Sequence, residues 1–124
     1  MKARREQARA RGTAAEWFAA FWLRLKGYRI LARQFRANGG ELDVVALTPR
    51  WKSPCTIIFV EVRTRGTLAD AIASVGSTKR ARVERAARQF CARSPSLGKL
   101  PRRFDLVVLA ETGWPRHIQD AWRT

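Results

Sequence analysis

The chain has 124 residues, a length that fits one domain with a single core. It carries 25 Lys and Arg against 10 Asp and Glu, and its formal net charge of +15 favours polyanionic partners, nucleic acid first. A hydrophobic content of 46% excludes a disordered basic tail. Two isolated cysteines and one histidine cannot form the usual zinc site, and no segment has the apolar length of a membrane span. We therefore expect a folded cytoplasmic domain without membrane contact.

The first element predicted along the chain is a helix. Residues 1–11 read as a basic N-terminal arm, either solvated or in contact with phosphate, and residues 12–124 as one folded domain. Thr13-Ala14-Ala15-Glu16 matches a capping box and predicts that the helix begins there. Gly27 is placed for its C-terminal cap. The apolar residues at helical spacing are Phe18, Phe21, Trp22 and Leu25.

Apolar runs predict three strands after this helix, at residues 28–35, 42–47 and 56–63. The seven residues 48–54 form a connection of hairpin length, so the second and third strands are expected to pair antiparallel.

The second half of the chain predicts a helix and one further strand. Residues 68–75 read as a loop or as one or two helical turns, and a second helix is expected from Ser77 or Thr78 to Arg93. Residues 94–101 carry the prolines and glycine of a loop, residues 104–109 read as a strand, and the last fifteen residues show no period. The order indicates an α/β fold with a mixed central sheet flanked by helices.

Carboxylates stand on both strands of the predicted hairpin. Because side chains alternate along a strand, Glu41 and Asp43 share one face of the first strand. By the same rule Glu61 and Arg63 share one face of the second. Glu61 follows four apolar residues and is expected to be buried, so it needs a cation, supplied by a metal or by Arg63 or Arg36. We favour a metal site over an ion-pair cluster, because burying acids with arginines often gains no stability.

These residues carry a resemblance to known proteins. Carboxylates on neighbouring strands, with a basic residue two places after the second, resemble the PD-(D/E)xK nuclease pattern, and the element order resembles the restriction-endonuclease-like α-β-β-β-α-β core. Over residues 12–109 the sequence is more similar to the YraN-like family of bacterial proteins. The matching segments, in order, are Glu16, Gly27-Tyr28, Ile30-Leu31, Gly40-Glu41-Leu42-Asp43, Phe59-Val60-Glu61-Val62-Arg63, Lys79 and Arg103-Phe104-Asp105. The family more often has lysine at position 63, and its hairpin connection is usually shorter than residues 48–54.

The resemblance implies a divalent-metal site for Mg²⁺ or Mn²⁺. It implies that Asp43 and Glu61 ligate the ion together with the backbone carbonyl of Val62. Arg63 would hold phosphate, but it cannot act as a base because it stays protonated. Superfamily nucleases often form homodimers, so a homodimer is a further expectation.

Other residues have two interpretations. Glu41 either binds the metal ion or is simply solvated at the start of its strand, and the two are equally favoured. For Glu16, a role in the capping box is preferred over a role in the metal site. Lys79 is either a surface residue of a first helical turn or a side chain that reaches a bound phosphate. Asp105 is interpreted as an edge-strand or arginine-paired acid, and His117 as structural or exposed. The candidate catalytic residues are Asp43, Glu61, Arg63, Glu41, Glu16 and Lys79.

Basic residues recur in four separate stretches, which favours a surface that follows phosphates over one that is merely solvated. The candidate nucleic-acid-binding residues are Arg36, Arg50, Lys52, Arg65, Lys79, Arg80, Arg82, Arg85, Arg102 and Arg103. Trp51, between Arg50 and Lys52, either stacks on an unpaired base or packs back on the sheet.

The resemblance and the charge together predict a divalent-metal-dependent nuclease that acts on DNA. Since no base-reading motif is present, we expect selectivity for DNA structure. The alternative is a non-catalytic nucleic-acid-binding protein on the same fold, and a basic RNA-associated protein is a third interpretation.

Overall fold

A computed structural model describes residues 2–64, 67–109 and 113–123, with side chains from residue 14 onward. In chain order the elements are α1 (Lys2–Leu25), β1 (Arg29–Ala37), β2 (Gly40–Leu47), β3 (Ile57–Arg63), α2 (Leu68–Ala73), α3 (Ser77–Arg93), α4 (Pro95–Gly98), β4 (Arg102–Val108) and β5 (Arg116–Trp122). None of the helices in these ranges is long and apolar enough to cross a membrane.

The strands form one mixed sheet in the order β1-β2-β3-β4-β5. Neighbouring strands are antiparallel except β3 and β4, which run parallel and are connected through α2, α3 and α4. The predicted mixed sheet flanked by helices, in the order α-β-β-β-α-β, is confirmed. The antiparallel pairing of β2 with β3 is also confirmed.

Each face of the sheet is covered by helix. The α1 face buries the apolar side chains of Ala19, Ala20, Leu23, Tyr28, Val44, Ala46, Ile58, Val60 and Val107. The α3 face, which α2 also covers, includes Leu42, Val45, Ile57, Phe59, Ala71, Val83, Ala86, Ala87, Phe90, Phe104, Leu106 and Val108. The strands β2, β3 and β4 are buried on both faces, as expected for the internal strands of the sheet.

Two glycines fix how the helices meet the sheet. Gly27 has φ +93° directly after α1, the left-handed cap conformation that the sequence predicted. A Cβ on Gly40 would lie 2.0 Å from the backbone oxygen of Arg82, so only glycine lets β2 begin this close to α3. The contact sets the height of α3 over the end of β2, where the acidic residues lie.

The structure corrects three predictions of local structure. Helix α1 begins at Lys2, so the capping-box start at Thr13 is wrong, and Glu16 lies in the middle of a helix. The predicted loop at residues 94–101 contains the single turn α4. The aperiodic C-terminal segment contains β5, an edge strand whose partial exposure on both faces gave no period in the sequence.

Candidate metal centre

The acidic residues meet where β2 and β3 separate. The ladder between these strands ends at the pair Val44 and Val60. Beyond it, the amide of Val62 donates a 2.8 Å hydrogen bond to Oδ2 of Asp43, so a side chain takes the place of the next ladder bond. This contact holds the buried Asp43 carboxylate between the two strands.

Glu16 and Glu41 complete a group of three carboxylates with Asp43. One carboxylate oxygen from each of them can be chosen so that all three lie within 4.8 Å of one another. Glu16 comes from the inward face of α1 and Glu41 from the first residues of β2, so a helix and a strand converge on Asp43. The grouping confirms that Glu41 and Asp43 lie together. It also brings the candidate residue Glu16 to them, although the sequence favours a helix cap for Glu16.

The backbone is irregular at this point of the sheet. Leu42 packs in the core on the α3 face and Val44 in the core on the α1 face, so the alternation of side chains breaks at Asp43. On β1, Gln34 lies opposite this position and has φ +53°, which is rare for a residue other than glycine. A hydrogen bond from Gln34 lowers the pKa of Glu16 against the other influences at the site. Such local strain is typical of functional sites.

Glu61 is the fourth carboxylate and the most buried of the group, at 3% exposure. It faces the α3 side, and its Oε1 lies 3.5 Å from the Nη2 atom of Arg63 and 3.5 Å from Nζ of Lys79. Lys79 therefore points from the first turn of α3 toward the sheet. This is the orientation expected for a side chain that reaches a bound phosphate. Among the described residues, none of the ion pairs involves Glu16, Glu41 or Asp43.

The crowding of carboxylates changes their protonation. Burial, followed by the neighbouring Asp43, raises the pKa of Glu61 to about 8, although Lys79 and Arg63 act in the opposite direction. Burial and a hydrogen bond with Asp43 raise the pKa of Glu16 to about 7. At neutral pH the site therefore retains protons that ordinary glutamates would have lost.

These donors fit a hard divalent cation. In the described part of the chain, Oε2 of Glu16 and Oε2 of Glu61 are buried without a hydrogen-bond partner. When Glu16 and Glu61 have lost their protons, four carboxylates face the two cations Arg63 and Lys79, and the two remaining negative charges are what one divalent ion would balance. Carboxylate oxygens are the ligands that Mg²⁺ and Mn²⁺ prefer. Ligation by the Val62 carbonyl stays a prediction, since the structure places only the Val62 amide against Asp43.

Asp105 shows how this fold neutralises a buried acid without a metal. It is fully buried in β4, where Nε and Nη2 of Arg103 each lie 2.8 Å from its oxygens and Nε2 of His117 lies 2.7 Å away. The amide of Asp120 donates a further hydrogen bond of 3.0 Å. Pairing with arginine is confirmed, but β4 is a central strand and not an edge. His117 is structural, and Lys26 lies 2.9 Å from its Nδ1 atom.

The candidate nucleic-acid-binding residues are spread over several elements. The side chains that are exposed are Arg36, Arg50, Lys52, Arg82, Arg85 and Arg102. Two others contribute to the fold: Arg103 binds Asp105, and Nε of Arg80 donates to the carbonyl of Val75. Arg65 lies outside the described residues. Binding of nucleic acid by this set stays a prediction.

Trp51 lies in the β2–β3 connection and contacts the end of α1. Its ring occupies the space that a Cβ on Gly27 would need, yet 71% of the residue is exposed. The ring therefore packs at one edge against Gly27 and leaves a face in solvent, so stacking on an unpaired base stays a prediction.

The sequence around Glu16 also contains a helical pattern that favours an inward-facing position over the capping box. Ala19, Ala20 and Leu23 lie three, four and seven residues after Glu16 and are buried, which places Glu16 on the inward face of α1. A carboxylate at this position of an otherwise apolar face predicts a partner inside the protein. Gln34 gave no comparable signal, because a positive φ at glutamine cannot be predicted from its neighbours.

Comparisons with known proteins agree with the resemblance to the YraN-like family. The model of the family described as "Uncharacterised protein family UPF0102" matches residues 15–109. A UPF0102 protein of Paramagnetospirillum magneticum is 46% identical over 122 residues, covering 95% of this chain and 91% of the relative. A UPF0102 protein of Methylorubrum extorquens is 46% identical over 120 residues, covering 97% and 90%. That of Maricaulis maris is 42% identical over 118 residues, covering 95% and 89%. The chain belongs to the uncharacterised protein family UPF0102, which confirms the YraN-like resemblance.

Proposed function

We propose that this protein is a divalent-metal-dependent nuclease that hydrolyses phosphodiester bonds in DNA. One observation supports the proposal above the others. Four carboxylates converge at the separating ends of β2 and β3 with two buried oxygens unpartnered among the described residues, in a chain whose net charge is +15. In so basic a protein, crowded carboxylates whose buried oxygens have no partner among the described residues favour metal binding over ion pairing alone.

Asp43 and Glu61 would hold the ion, with Glu16 and Glu41 as further donors from α1 and the start of β2. The Val62 amide fixes Asp43, so this ligand needs little reorganisation before it binds. When bound, the cation supplies the Lewis acidity that phosphodiester hydrolysis needs.

Arg63 and Lys79 have separate roles beside the acids. Both cations lie 3.5 Å from Glu61, so a phosphate that approaches the carboxylates meets positive charge as well as the ion. Arg63 stays protonated and can only bind and orient phosphate. Lys79 can donate from Nζ to a phosphate oxygen or to the attacking water, a role in which its flexible side chain is useful.

The exposed arginines support nucleic acid as the substrate class. A cleft of about 480 Å³ at the other end of the sheet is lined by the exposed Arg88 and Arg102, beside Arg103 and Arg123, which are paired with Asp105 and Asp120. Backbone phosphates are recognised by such cations without regard to base sequence, and their contribution falls as salt rises. No base-reading motif accompanies them, so we propose selectivity for the structure of the DNA.

The test is cleavage of duplex, single-stranded and branched DNA by the purified protein with Mg²⁺ or Mn²⁺. Asp43→Asn and Glu61→Gln are expected to lower the cleavage rate by about 1,000-fold or more, because each removes a ligand charge from the site. DNA affinity should stay within about two-fold of wild type, since the exposed arginines are unchanged. Asp70→Asn, an exposed acid on α2, is the matched control and should cleave normally.

Cleavage that persists in Asp43→Asn and Glu61→Gln would contradict the proposal. No metal-dependent cleavage of any substrate, with salt-dependent binding retained, would instead favour a non-catalytic nucleic-acid-binding protein. The observation that favours this second candidate is Arg63 at a position where the family more often has lysine, together with the two cations already held by Glu61. Preference for structured RNA without any metal effect would indicate the RNA-associated alternative.

A further inference from the structure

The outer face of α1 is apolar although nothing described in the chain covers it. Trp17 is 55% exposed, Phe18 and Phe21 are each 45% exposed, and Leu25 is 70% exposed. The inner face of the same helix is also apolar and packs on the sheet through Ala19, Ala20 and Leu23. A surface helix of a monomer normally has one apolar face, so the second one indicates a binding surface.

The spacing of this outer face suits another helix. Trp17, Phe21 and Leu25 are four residues apart and therefore form a single ridge, with Phe18 beside it. The rings of Trp17 and Phe21 are parallel, with centroids 5.7 Å apart and an interplanar angle of 1°. A ridge of this kind packs into the groove of a neighbouring helix.

The charge on this face argues against a polyanion or an acidic protein. Between residues 14 and 25 the charged residues are Glu16, which points inward, and Arg24. A polyanion binds where cations are exposed, and the chain has many such positions on other elements. The part of α1 from residue 14 to residue 25 is thus a nearly uncharged surface on which two molecules of charge +15 can approach, and the other basic residues of the helix are confined to its earlier turns.

We propose that two copies of this chain pack through the outer faces of α1 to form a two-fold homodimer. An isologous interface needs a surface that is complementary to itself, which an uncharged ridge of large side chains satisfies. With roughly 150–250 Å² of surface for each large side chain, the exposed parts give roughly 400–500 Å² per copy. The pair buries roughly 800–1,000 Å², the lower limit of a specific interface, so the dimer is weak and depends on concentration.

The inference is independent of the nuclease proposal. Glu16 directly precedes Trp17 but points to the opposite side of α1, toward Asp43 and Glu41. Packing through the outer face therefore leaves each carboxylate group within its own copy. Loss of metal binding or of cleavage would not change the expected oligomeric state.

Sedimentation equilibrium from micromolar to sub-millimolar concentration tests the dimer, at low and at high salt. The wild-type mass should rise from monomer to dimer, and more readily at high salt because charge repulsion is screened. The double variant Trp17→Ser/Phe21→Ser should stay monomeric, and its circular dichroism melt should show that it is folded. Leu68→Ser/Ile72→Ser, which removes two exposed apolar side chains from α2, is the matched control and should dimerise like wild type.

Two results would overturn the proposal. One is a wild-type protein that is monomeric at every concentration and salt. The other is a Trp17→Ser/Phe21→Ser variant that dimerises as strongly as wild type. If the wild type is monomeric and this variant loses affinity for single-stranded oligonucleotides, the face binds nucleobases and the dimer is excluded.

Discussion

Two buried acidic regions of the protein are neutralised in opposite ways. Asp105, in the middle of β4, is held by Arg103, His117 and the amide of Asp120. Burial alone would raise the pKa of Asp105, but the hydrogen bonds from His117 and Arg103 outweigh it and hold the pKa below its usual value. At the ends of β2 and β3, burial and the neighbouring Asp43 raise the pKa of Glu61 to about 8.

The difference shows that this fold can satisfy a buried carboxylate from its own side chains when stability is the only requirement. With 25 Lys and Arg available, the chain still leaves buried oxygens of Glu16 and Glu61 unpartnered among the described residues. The Asp105 region is therefore structural, whereas around Asp43 the proposed metal ion would supply the balance that the described side chains leave incomplete. The predictions below test this contrast.

The largest effect is expected for Asp105→Asn. The substitution leaves Arg103 without its ion pair and weakens the contact with His117, and breaking a buried pair costs about 3–5 kcal/mol of the free energy of unfolding. Urea denaturation at neutral pH measures the cost. Asp120→Asn, which disrupts only the exposed pair with Arg123, should cost about 0.5 kcal/mol or less. Equal losses of stability in Asp105→Asn and Asp120→Asn would contradict a structural role for Asp105.

The stability of the metal-free protein should fall as pH rises from about 4.5 toward 8. Between these values Glu61 keeps its proton in the folded state and has lost it in the unfolded state, so the free energy of unfolding decreases with pH. The total loss is roughly 3–5 kcal/mol for this one group. Denaturation in EDTA at a series of pH values measures it. The slope should weaken in Glu61→Gln, where Glu16 still contributes up to about pH 7, and remain unchanged in Glu84→Gln.

Asp105 changes stability with pH in the opposite direction. Because the pKa of Asp105 is lowered, its contribution to stability is lost as pH falls below about 4. A protein whose stability is flat between pH 5 and 8 would show that the acids near Asp43 are not crowded in the way described.

A divalent cation should reverse the loss at alkaline pH. Mg²⁺ at 100 times its dissociation constant raises the free energy of unfolding by about 2.7 kcal/mol, if it binds only the folded chain. Thermal unfolding at pH 8, with and without Mg²⁺ or Mn²⁺, measures this gain. Asp43→Asn should show little of it, whereas Asp70→Asn should show all of it. A gain of equal size in Asp43→Asn would mean that the ion binds elsewhere.

The smallest effect is expected for Lys79→Met. This variant removes one of two cations near Glu61, but the side chain is 31% exposed, so the cost at pH 8 is about 0.5–1 kcal/mol. At pH 5 Glu61 is protonated and the cost should disappear. Arg82→Met, an exposed position on the same helix, should change stability equally at both pH values.

Much of the fold followed from local sequence patterns, and much of the site did not. The hairpin of β2 and β3 was predicted because apolar runs and a seven-residue connection define it. The burial of Glu61 followed from its place in an apolar strand. Glu16 was assigned to a cap because its local pattern matched one, whereas its role depends on how α1 packs over Asp43. The edge strand β5 was missed, because partial exposure on both faces gives no period.

The central claim is that a metal ion, and not a guanidinium, balances the carboxylates at the ends of β2 and β3. Isothermal titration of the metal-free protein with Mn²⁺ at pH 7, repeated in buffers of different ionisation enthalpy, tests it most directly. We predict one ion per chain with release of protons from Glu16 and Glu61, and no such binding in Glu61→Gln. Absence of binding in the wild type, or binding of equal strength in Glu61→Gln, would contradict the claim.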